Sequence, residues 1–263
     1  MTGEALLGLK IGECATPFGT AAENLAFEQL LASCRTPCFV THRDRACVSI
    51  GFNQDLSAEV DVSVARRIGV DIVRRPTGGG AVYRDDGCIC YSFVVPDRYS
   101  RMPVDLVAEA LRTLGFPVER TGRNDLFLEG AKVSGFAWEA IGGMSVVHGT
   151  LLHSTDINVM DLLVGRKKGK YRGTAMASAH SRVANLSSIK PMGSPDEFQV
   201  ALHRRICDLM RERGAEVCSF HLGDEQRESV VKISPSFVCR PSDREAIAES
   251  LACRERERGP LEC

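Results

Sequence analysis

The sequence predicts an α/β (α+β) fold in which a mixed, largely antiparallel sheet is backed by helices. Short runs of β-forming residues recur through the first 153 residues, and several of them are separated by dipeptides that suit tight turns. Two other segments repeat apolar residues at helical spacing, and a third begins with a helix-start signal. Because tight turns join antiparallel neighbours, the sheet should not be the all-parallel kind that needs a crossover between every pair of strands.

The first half of the chain reads as one helix followed by short strands. Residues 21–34 repeat apolar side chains on one helical face, formed by Phe27, Leu30, Leu31 and Cys34. Further elements follow, with strand-like runs at 38–43, 46–51 and 71–75 and a short helix near 63–69. Asp86-Gly87 tolerates the positive φ of a tight hairpin, so the runs at 81–84 and 88–95 are predicted to pair with each other.

The middle of the chain supplies a second helix and more of the sheet. Residues 104–114 carry a helical pattern that ends at Gly115, a residue suited to the left-handed C-cap position. From 117 to 153 the chain returns to β-type runs, with tight turns predicted at 129–130 and 142–143. This alternation of runs and turns predicts antiparallel strands.

The C-terminal third begins with a helix-start signal. Ser194 suits the N-cap, proline follows at the first helical position and Glu197 stands at the third, which predicts a helix to Gly214. The same spacing at 242–245 precedes a charged final helix. No low-complexity linker divides the chain. Residues 191–263 are therefore expected to form a helical extension of the main domain or a small subdomain.

Composition excludes several classes of protein. Of the 263 residues, 44% are hydrophobic and 25% are charged, which is ordinary for a globular protein. The formal net charge of −1 gives no general attraction to nucleic acid. The sequence contains no run of eighteen apolar residues, which argues against a membrane-spanning helix. The eleven cysteines contain no CxxC pair, which disfavours a zinc knuckle or a thioredoxin-type site. Without a recognisable leader, a cytoplasmic location is expected.

Residues 74–82, RRPTGGGAV, form a glycine-rich loop preceded by two arginines. Glycines let a ligand approach the backbone, and the guanidinium groups supply fixed positive charge, so the loop is a candidate anion site. A flexible β-turn with two solvated arginines has the same pattern. Strand-like residues follow the glycines, so the loop matches neither the GxxxxGK[ST] phosphate loop nor a dinucleotide-binding turn.

A second stretch places opposite charges on adjoining predicted strands. GRNDL at 122–126 contains Asp125, and AKVSG at 131–135 contains Lys132. A lysine in this position would neutralise the charge that develops when a carboxylate attacks an α-phosphate, and the aspartate would hold a magnesium ion. The same residues could also form an exposed hairpin with a surface ion pair.

HGTLL at 148–152 and SRVANL at 181–186 complete a series of four stretches. In this order the four resemble the lipoate-protein ligase (lipoyltransferase) family, whose members carry RRxxGGGAVxHD, GRNDL with KxSG, HGTLL and SRVxNL. ENLA at 23–26 and IGFNQ at 50–54 also resemble the opening segment of that family. The resemblance therefore covers roughly residues 20–190.

The resemblance implies a catalytic domain of the biotin and lipoyl ligase fold at residues 1–190. It implies a magnesium-dependent reaction in which ATP and lipoate form lipoyl-AMP, after which the lipoyl group passes to a lysine of a lipoyl carrier domain. Lys132 would be the principal catalytic residue, and Asp125 would contact the nucleotide and the magnesium ion. The other residues that the resemblance places against ATP or the adenylate are Arg75, Gly79, Gly80, Ala81, Val82, Tyr83, Asn124 and His148.

Some features depart from the family pattern. Arg84 replaces the family's histidine after AVx, and Phe136 stands where a small residue is common. Residues 191–263 are too short for the full accessory domain of long-form ligases, so a separate accessory chain is a candidate partner. The basic loop RKKGKYR at 166–172 is either a solvated loop or a surface that closes over the adenylate or docks an acidic carrier domain.

The main rival function is transfer of an octanoyl or lipoyl group through a cysteine thioester, as in other relatives of this fold. That chemistry requires a thiolate near the lysine. The sequence has no cysteine between Tyr91 and Ile206, which favours the ligase, although Cys88 and Cys90 remain candidate nucleophiles. Three further rival functions are a transferase that needs a partner or a preformed activated acyl donor, a biotin ligase, and a non-catalytic lipoyl-binding protein.

Overall fold

The computed structural model describes residues 5–121, 124–164 and 181–239. Its strands are β1 (Lys10–Ala15), β2 (Cys38–His42), β3 (Cys47–Ile50), β4 (Asp71–Arg74), β5 (Val82–Arg84), β6 (Cys88–Pro96), β7 (Glu119–Thr121), β8 (Asp125–Leu128), β9 (Ala131–Ile141), β10 (Met144–Leu152) and β11 (Glu216–Ser219). Its α-helices are α1 (Ala21–Ser33), α2 (Leu56–Glu59), α3 (Val62–Ile68), α4 (Met102–Thr113), α5 (Ile157–Val164), α6 (Leu186–Ile189), α7 (Pro195–Glu212) and α8 (Asp224–Ile233).

Eight strands form one sheet in the order β11-β1-β2-β6-β10-β9-β8-β7. In this sheet β1 pairs in parallel with β11 and with β2, and every other pair is antiparallel. The strands β4-β3-β5 form a second, smaller sheet, in which β3 is parallel to β4 and antiparallel to β5. The predicted mixed, largely antiparallel sheet backed by helices is confirmed.

The two faces of the large sheet are covered differently. Alternate residues of a strand point to opposite faces, so Val147 and Leu151 of β10 face one side while His148 and Thr150 face the other. Val147 and Leu151 join the main apolar core with residues of α4 and α7. On the opposite face, α1 and the small sheet bury two further apolar clusters. The candidate site lies on this second face.

The three predicted long helices are confirmed, and local capping explains where they begin and end. The Thr20 side chain accepts a hydrogen bond from the N–H of Glu23 at the start of α1. Ser194 and Glu197 form the predicted capping box of α7. After α4 the chain turns at Gly115, whose φ of +91° suits the residue beyond a helix end.

The two tight turns predicted in the middle of the chain are also confirmed. Both residues of each turn have positive φ, at +52° and +73° for Glu129 and Gly130 and at +57° and +87° for Gly142 and Gly143. Two consecutive residues with positive φ match the right-handed twist of a two-residue hairpin. These turns join β8 to β9 and β9 to β10, which fixes three neighbours of the large sheet.

The hairpin predicted at Asp86-Gly87 is wrong. β5 pairs with β3 in the small sheet, whereas β6 pairs with β2 and β10 in the large sheet. Gly87 is not among the glycines with positive φ. Its role is close packing, because a Cβ there would lie 2.3 Å from the carbonyl oxygen of Ser154. This turn moves the chain from one sheet to the other.

The described C-terminal residues add to the same sheet-and-helix layers. α7 contributes Phe198, Leu202 and Ile206 to the main core, β11 extends the large sheet beyond β1, and α8 packs against α1. The sequence patterns missed β1, β11 and α8. The final helix predicted after 242 and the basic loop at 166–172 lie outside the described residues. No described helix is both long enough and apolar enough to cross a membrane.

Candidate active site

A row of four residues crosses the large sheet at the candidate site. Thr150 of β10 lies opposite Cys90 of β6 on one side and opposite Gly135 of β9 on the other. Gly135 in turn lies opposite Asp125 of β8. Paired residues share a face, so the row runs from buried Cys90, which packs under the small sheet, to partly exposed Asp125. The open end of the row is where the predicted catalytic pair lies.

Lys132 and Asp125 meet at this open end. The Lys132 Nζ lies 2.7 Å from the Asp125 Oδ1, and both side chains are 27% exposed. A Cβ at Gly135 would lie 3.0 Å from both the Cε and the Nζ of Lys132, so only glycine leaves the ammonium group its present position without a shift. The sequence predicted this pairing of charges, and the geometry brings it about through the β8–β9 hairpin.

The fourth sequence stretch, SRVANL, holds the backbone of Lys132. The Lys132 N–H donates to the carbonyl oxygen of Arg182 at 2.8 Å, and its carbonyl oxygen accepts from the N–H of Ala184 at 3.1 Å. Residue 183 thus forms a short parallel bridge with Lys132. A segment about fifty residues further along the chain therefore fixes the lysine at the edge of β9.

The two arginines before the glycine loop are bound to backbone carbonyls. Arg75 is 6% exposed, and its guanidinium donates to the carbonyl oxygens of Ser49, Gly78 and Gly80 at 2.7–2.8 Å. Arg74 donates in the same way to the carbonyl oxygens of Gly51, Phe52 and Gln54. Burial, together with Arg84, lowers the pKa of Arg75 to about 9. These contacts shape the loop, so a direct contact between Arg75 and a nucleotide stays a prediction.

Within the loop, the glycines provide exposed backbone. Gly78 and Gly79 are exposed, and Gly79 has a φ of +89°. The loop packs on the IGFNQ stretch, since a Cβ at Gly51 would lie 2.2 Å from the carbonyl oxygen of Gly79. Gly80, Ala81 and Val82 are half-buried.

Tyr83 lies in β5, directly after the glycine loop. It is 4% exposed and belongs to the apolar cluster under the small sheet, where burial raises its pKa to about 12. Asn124 precedes Asp125 at the start of β8, and its carbonyl oxygen accepts from the N–H of Phe136 at 2.9 Å. The predicted ligand contacts of Tyr83 and Asn124 stay predictions.

His148 links the glycine loop to the core. Its Nε2 lies 2.8 Å from the Thr77 Oγ1, and its Nδ1 lies 2.7 Å from the Glu28 Oε2. The other oxygen of Glu28 accepts a hydrogen bond from the Ser92 hydroxyl. Burial alone would raise the pKa of Glu28, but His148 and Ser92 hold it below its usual value. The ionised carboxylate favours the tautomer that donates from Nδ1, which leaves Nε2 to accept from Thr77.

Glu28 was missed by the sequence patterns, although a signal was present. It lies one helical turn after Asn24 on α1, and both side chains are buried. Two polar residues at this spacing on the apolar face of a helix indicate a buried polar network. The amphipathic pattern used to predict α1 ignored them, because that pattern counts only apolar positions.

Asn24 leads to a second buried network, centred on Asp44. The Asp44 carboxylate receives Asn24 at 2.8 Å, His42 at 3.0 Å and Arg84 at 3.0 Å. Burial opposes the charge on Asp44, but Arg84 and then His42 hold its pKa far below its usual range. Burial likewise opposes a charged His42, but Asp44 raises the pKa of His42 to about 8. Arg84, which departs from the family pattern, thus pairs with a buried carboxylate.

The candidate nucleophilic thiols are poorly placed for a thioester mechanism. Cys88 and Cys90 are both buried within β6. Contact with Cys88, and then burial, raises the pKa of Cys90 well above its usual value. β10 and β9 also lie between Cys90 and the strand that carries Asp125. Among the described residues, these two thiols therefore do not supply a thiolate at Lys132.

Comparisons with known proteins agree with this geometry. The family model for the lipoyl protein ligase A/B catalytic domain matches residues 20–206. Lipoate-protein ligase 1 of Staphylococcus aureus is 29% identical over 219 residues, and lipoate-protein ligase LplJ of Bacillus subtilis is 32% identical over 220. Each alignment covers 80% of this chain and 66% of the relative, so the chain spans slightly less than two thirds of their length.

Solved structures share the fold. LipL1 of Plasmodium falciparum in complex with lipoate superposes with a TM-score of 0.72 at 21% identity, over 86% of this chain and 71% of that one. Protein Ta0514 of Thermoplasma acidophilum with bound lipoic acid gives a TM-score of 0.70 at 22% identity, over 87% of this chain and 95% of that one. A lipoate-protein ligase A bound with ATP gives 0.70 at 23%, over 86% and 94%. This chain belongs to the lipoyl protein ligase A/B catalytic domain family.

Proposed function

We propose that this chain is an ATP-dependent lipoate-protein ligase, which converts lipoate to lipoyl-AMP and transfers the lipoyl group to a lysine of a lipoyl carrier domain. The observation that carries the proposal is the Lys132–Asp125 pair, held at 2.7 Å on the face of the large sheet to which the Thr77–His148 contact ties the start of the glycine loop. Two relatives named lipoate-protein ligase support it, as do structures of the same fold that hold lipoate or ATP.

In the first step a carboxylate oxygen of lipoate attacks the α-phosphorus of ATP, and the bond to the bridging oxygen breaks to release pyrophosphate. Two anions approach each other in this step, and the charge on the α-phosphoryl oxygens grows. The Lys132 ammonium group would lie between them and stabilise that charge. Asp125 acts through Lys132, because its carboxylate fixes the position of the ammonium group before substrates bind.

In the second step the carrier lysine amine attacks the carbonyl carbon of the mixed anhydride. An amide bond forms, AMP leaves with the electrons of the broken carbon–oxygen bond, and the amine loses a proton. The acyl-adenylate is already activated, so the protein needs to orient the amine and exclude water. The exposed backbone of Gly78 and Gly79, with Gly80, Ala81 and Val82 beside it, would cover the adenylate.

The residues present fit a magnesium ion bound with the nucleotide. Magnesium prefers oxygen ligands and is often held by one or two carboxylates together with phosphate oxygens and water. Asp125 offers a partly exposed carboxylate, of which Lys132 contacts one oxygen. When bound, the ion would neutralise phosphate charge. Asn124 is the neighbouring candidate for nucleotide contact.

The partners are part of the proposal. The acceptor is a lipoyl carrier domain, and a solved Thermoplasma acidophilum system is described as a bi-partite lipoate protein ligase with its E2 lipoyl domain. By analogy, a separate accessory chain would assist adenylation here. The proposed catalytic domain is residues 1–190, and the residues from 191 onward extend it.

The test is pyrophosphate release by the purified chain with ATP, magnesium and lipoate, with and without an apo lipoyl domain. Lipoate-dependent release that stops when EDTA is added supports a self-sufficient, magnesium-dependent ligase. No release, but transfer from supplied lipoyl-AMP, supports instead a transferase that needs a partner or a preformed activated donor. The absence of both pyrophosphate release and lipoyl transfer would overturn the proposed function.

A further inference from the structure

Among the described residues, two groups of histidine, cysteine and carboxylate side chains have ligand atoms within 4.8 Å of one another. The first is His42, Asp44 and Cys90. The Arg84 guanidinium lies within it, 3.0 Å from Asp44 and 3.7 Å from Cys90, so an added cation would meet a fixed positive charge. This first group is therefore a complete ionic network without a metal.

The second group is Glu13, His203 and Cys207, on the opposite face of the large sheet from Lys132. His203 and Cys207 are four residues apart on α7, so they project from the same side of that helix. Glu13 of β1 lies beneath them, with its Oε2 2.8 Å from the His203 Nε2. Three ligand atoms of different chemistry thus converge between a helix and a strand.

Neighbouring groups fix the orientation of these side chains. The His203 Nδ1 lies 2.8 Å from the Thr41 Oγ1, and the ring stacks on Phe39 at 4.7 Å between centroids. The Ser219 hydroxyl donates to the other oxygen of Glu13 at 2.9 Å. Metal sites commonly hold their histidine and carboxylate ligands through a second hydrogen bond of this kind.

The group is also accessible and carries a suitable charge. The side chains of His203 and Glu13 are 16% and 20% exposed, whereas Cys207 is 4% exposed. No lysine or arginine of the described residues lies within ion-pair distance of Glu13. A cation can therefore reach the carboxylate from solvent without meeting the positive charge that closes the first group.

We propose that Glu13, His203 and Cys207 bind one zinc ion, with water as the fourth ligand. Nitrogen, sulfur and oxygen donors suit zinc, which takes four ligands at about 2.0–2.3 Å in tetrahedral geometry. Zinc takes the place of the hydrogen bond between the Glu13 Oε2 and the His203 Nε2, so those atoms separate by roughly 0.5 Å. The bound imidazole keeps its one ring proton on Nδ1, toward the Thr41 Oγ1, and the proton displaced from the hydrogen bond and the thiol proton pass to solvent. Because the site joins α7 to β1, zinc stabilises the fold and takes no part in catalysis.

The test uses the full chain, freed of metal by a chelator and then titrated with Co²⁺ or Zn²⁺. One cobalt ion per chain should bind and give the near-ultraviolet absorption of a thiolate–cobalt bond, and Zn²⁺ should raise the melting temperature. Cys207→Ala and Glu13→Gln, checked for folding by circular dichroism, should lose the absorption band and the rise in melting temperature. Cys34→Ser removes an exposed thiol at the end of α1 and should keep both.

Two outcomes would overturn the zinc site. The first is a folded wild-type chain with no cobalt absorption and no zinc-dependent stabilisation. The second is an undiminished cobalt band in folded Cys207→Ala. Either result would make Glu13 and His203 a hydrogen-bonded pair beside the buried Cys207, and neither result bears on ATP-dependent pyrophosphate release.

Discussion

At the scale of single residues, the Lys132–Asp125 ion pair matters for where it places the ammonium group and contributes little to the stability of the fold. Each side chain is 27% exposed, and partly exposed ion pairs contribute only about 0–1 kcal/mol. Gly135 lies directly beneath the pair and leaves it room. Asp125 and Gly135 therefore act together to set the position of the Lys132 ammonium group.

Lys132→Ala should abolish lipoyl-AMP formation without unfolding the chain. Removing a group that stabilises developing charge typically costs about 10²–10³ in rate, so lipoate-dependent pyrophosphate release should fall at least that far. The melting temperature should change little, since the pair contributes little stability. Lys232→Ala, at the end of α8, is the matched control. Wild-type release by Lys132→Ala would refute its assigned role.

Gly135→Ala tests whether the position of the ammonium group matters. The new methyl group would lie 3.0 Å from the Lys132 Cε and Nζ, so the end of the lysine side chain must shift by a few tenths of an ångström. Because a misplacement of about 1 Å can cost roughly 10²-fold in rate, we expect this smaller shift to lower pyrophosphate release by about 2- to 10-fold. Gly19→Ala is the control, because no heavy atom lies within 4 Å of a Cβ built there. Equal pyrophosphate release by the two variants would contradict the argument.

At the scale of elements, the sequence predicted local features well and distant pairings poorly. Helix caps and two-residue turns depend on neighbouring residues, and α1, α4, α7 and the turn at Gly142-Gly143 were all predicted. The hairpin wrongly predicted at Asp86-Gly87 has a dipeptide that suits a tight turn. Its strands nevertheless pair elsewhere, because strand partners are chosen by packing against segments far along the chain.

The candidate site shows the same division. Lys132 and Asp125 were predictable because one hairpin brings them together, and their residue types indicate the chemistry. The enclosure of Arg75 by the carbonyl oxygens of Ser49, Gly78 and Gly80 was not predictable, since the sequence does not show which groups a guanidinium will donate to. Glu28 and Asp44 were missed because their partners come from separate strands and helices.

Gly51→Ala should shift the backbone of the whole glycine loop at residues 78–80. A Cβ at this position would lie 2.2 Å from a backbone oxygen of the loop, which cannot move aside as a flexible side chain can. If the loop covers the adenylate, the KM for ATP in the pyrophosphate assay should rise about 10-fold or more. Circular dichroism should confirm that the variant is folded. An unchanged KM for ATP in this variant would show that the glycine loop does not contribute to nucleotide binding.

At the scale of the whole molecule, buried polar residues follow a path between two apolar clusters. One cluster lies under α1 and the other under the small sheet. Between them run the Asp44 network and the Glu28–His148–Thr77 chain of hydrogen bonds. Buried polar groups are costly unless paired, so these networks fix how α1, the small sheet and the large sheet fit together.

His42 makes the stability of this junction depend on pH. Its pKa is about 8 in the folded chain and 6.5 ordinarily, so its contribution is fully present below about pH 6.5 and is lost as pH rises through 8. The loss approaches about 2 kcal/mol. Urea unfolding from pH 6 to 8.5 should show this decline in the wild type and a smaller one in His42→Gln. Parallel pH dependences in the two proteins would rule out the assignment.

The position of β1 has a consequence for how the chain is made. Lys10 pairs with Glu216, so the first strand obtains one of its two neighbours only after more than two hundred further residues have been synthesised. Contacts between such distant segments slow folding, and a strand edge left open meanwhile is a site for aggregation. During translation the edge of β1 that pairs with β11 therefore stays open until β11 has left the ribosome, and we expect chaperones to bind the nascent chain in that interval.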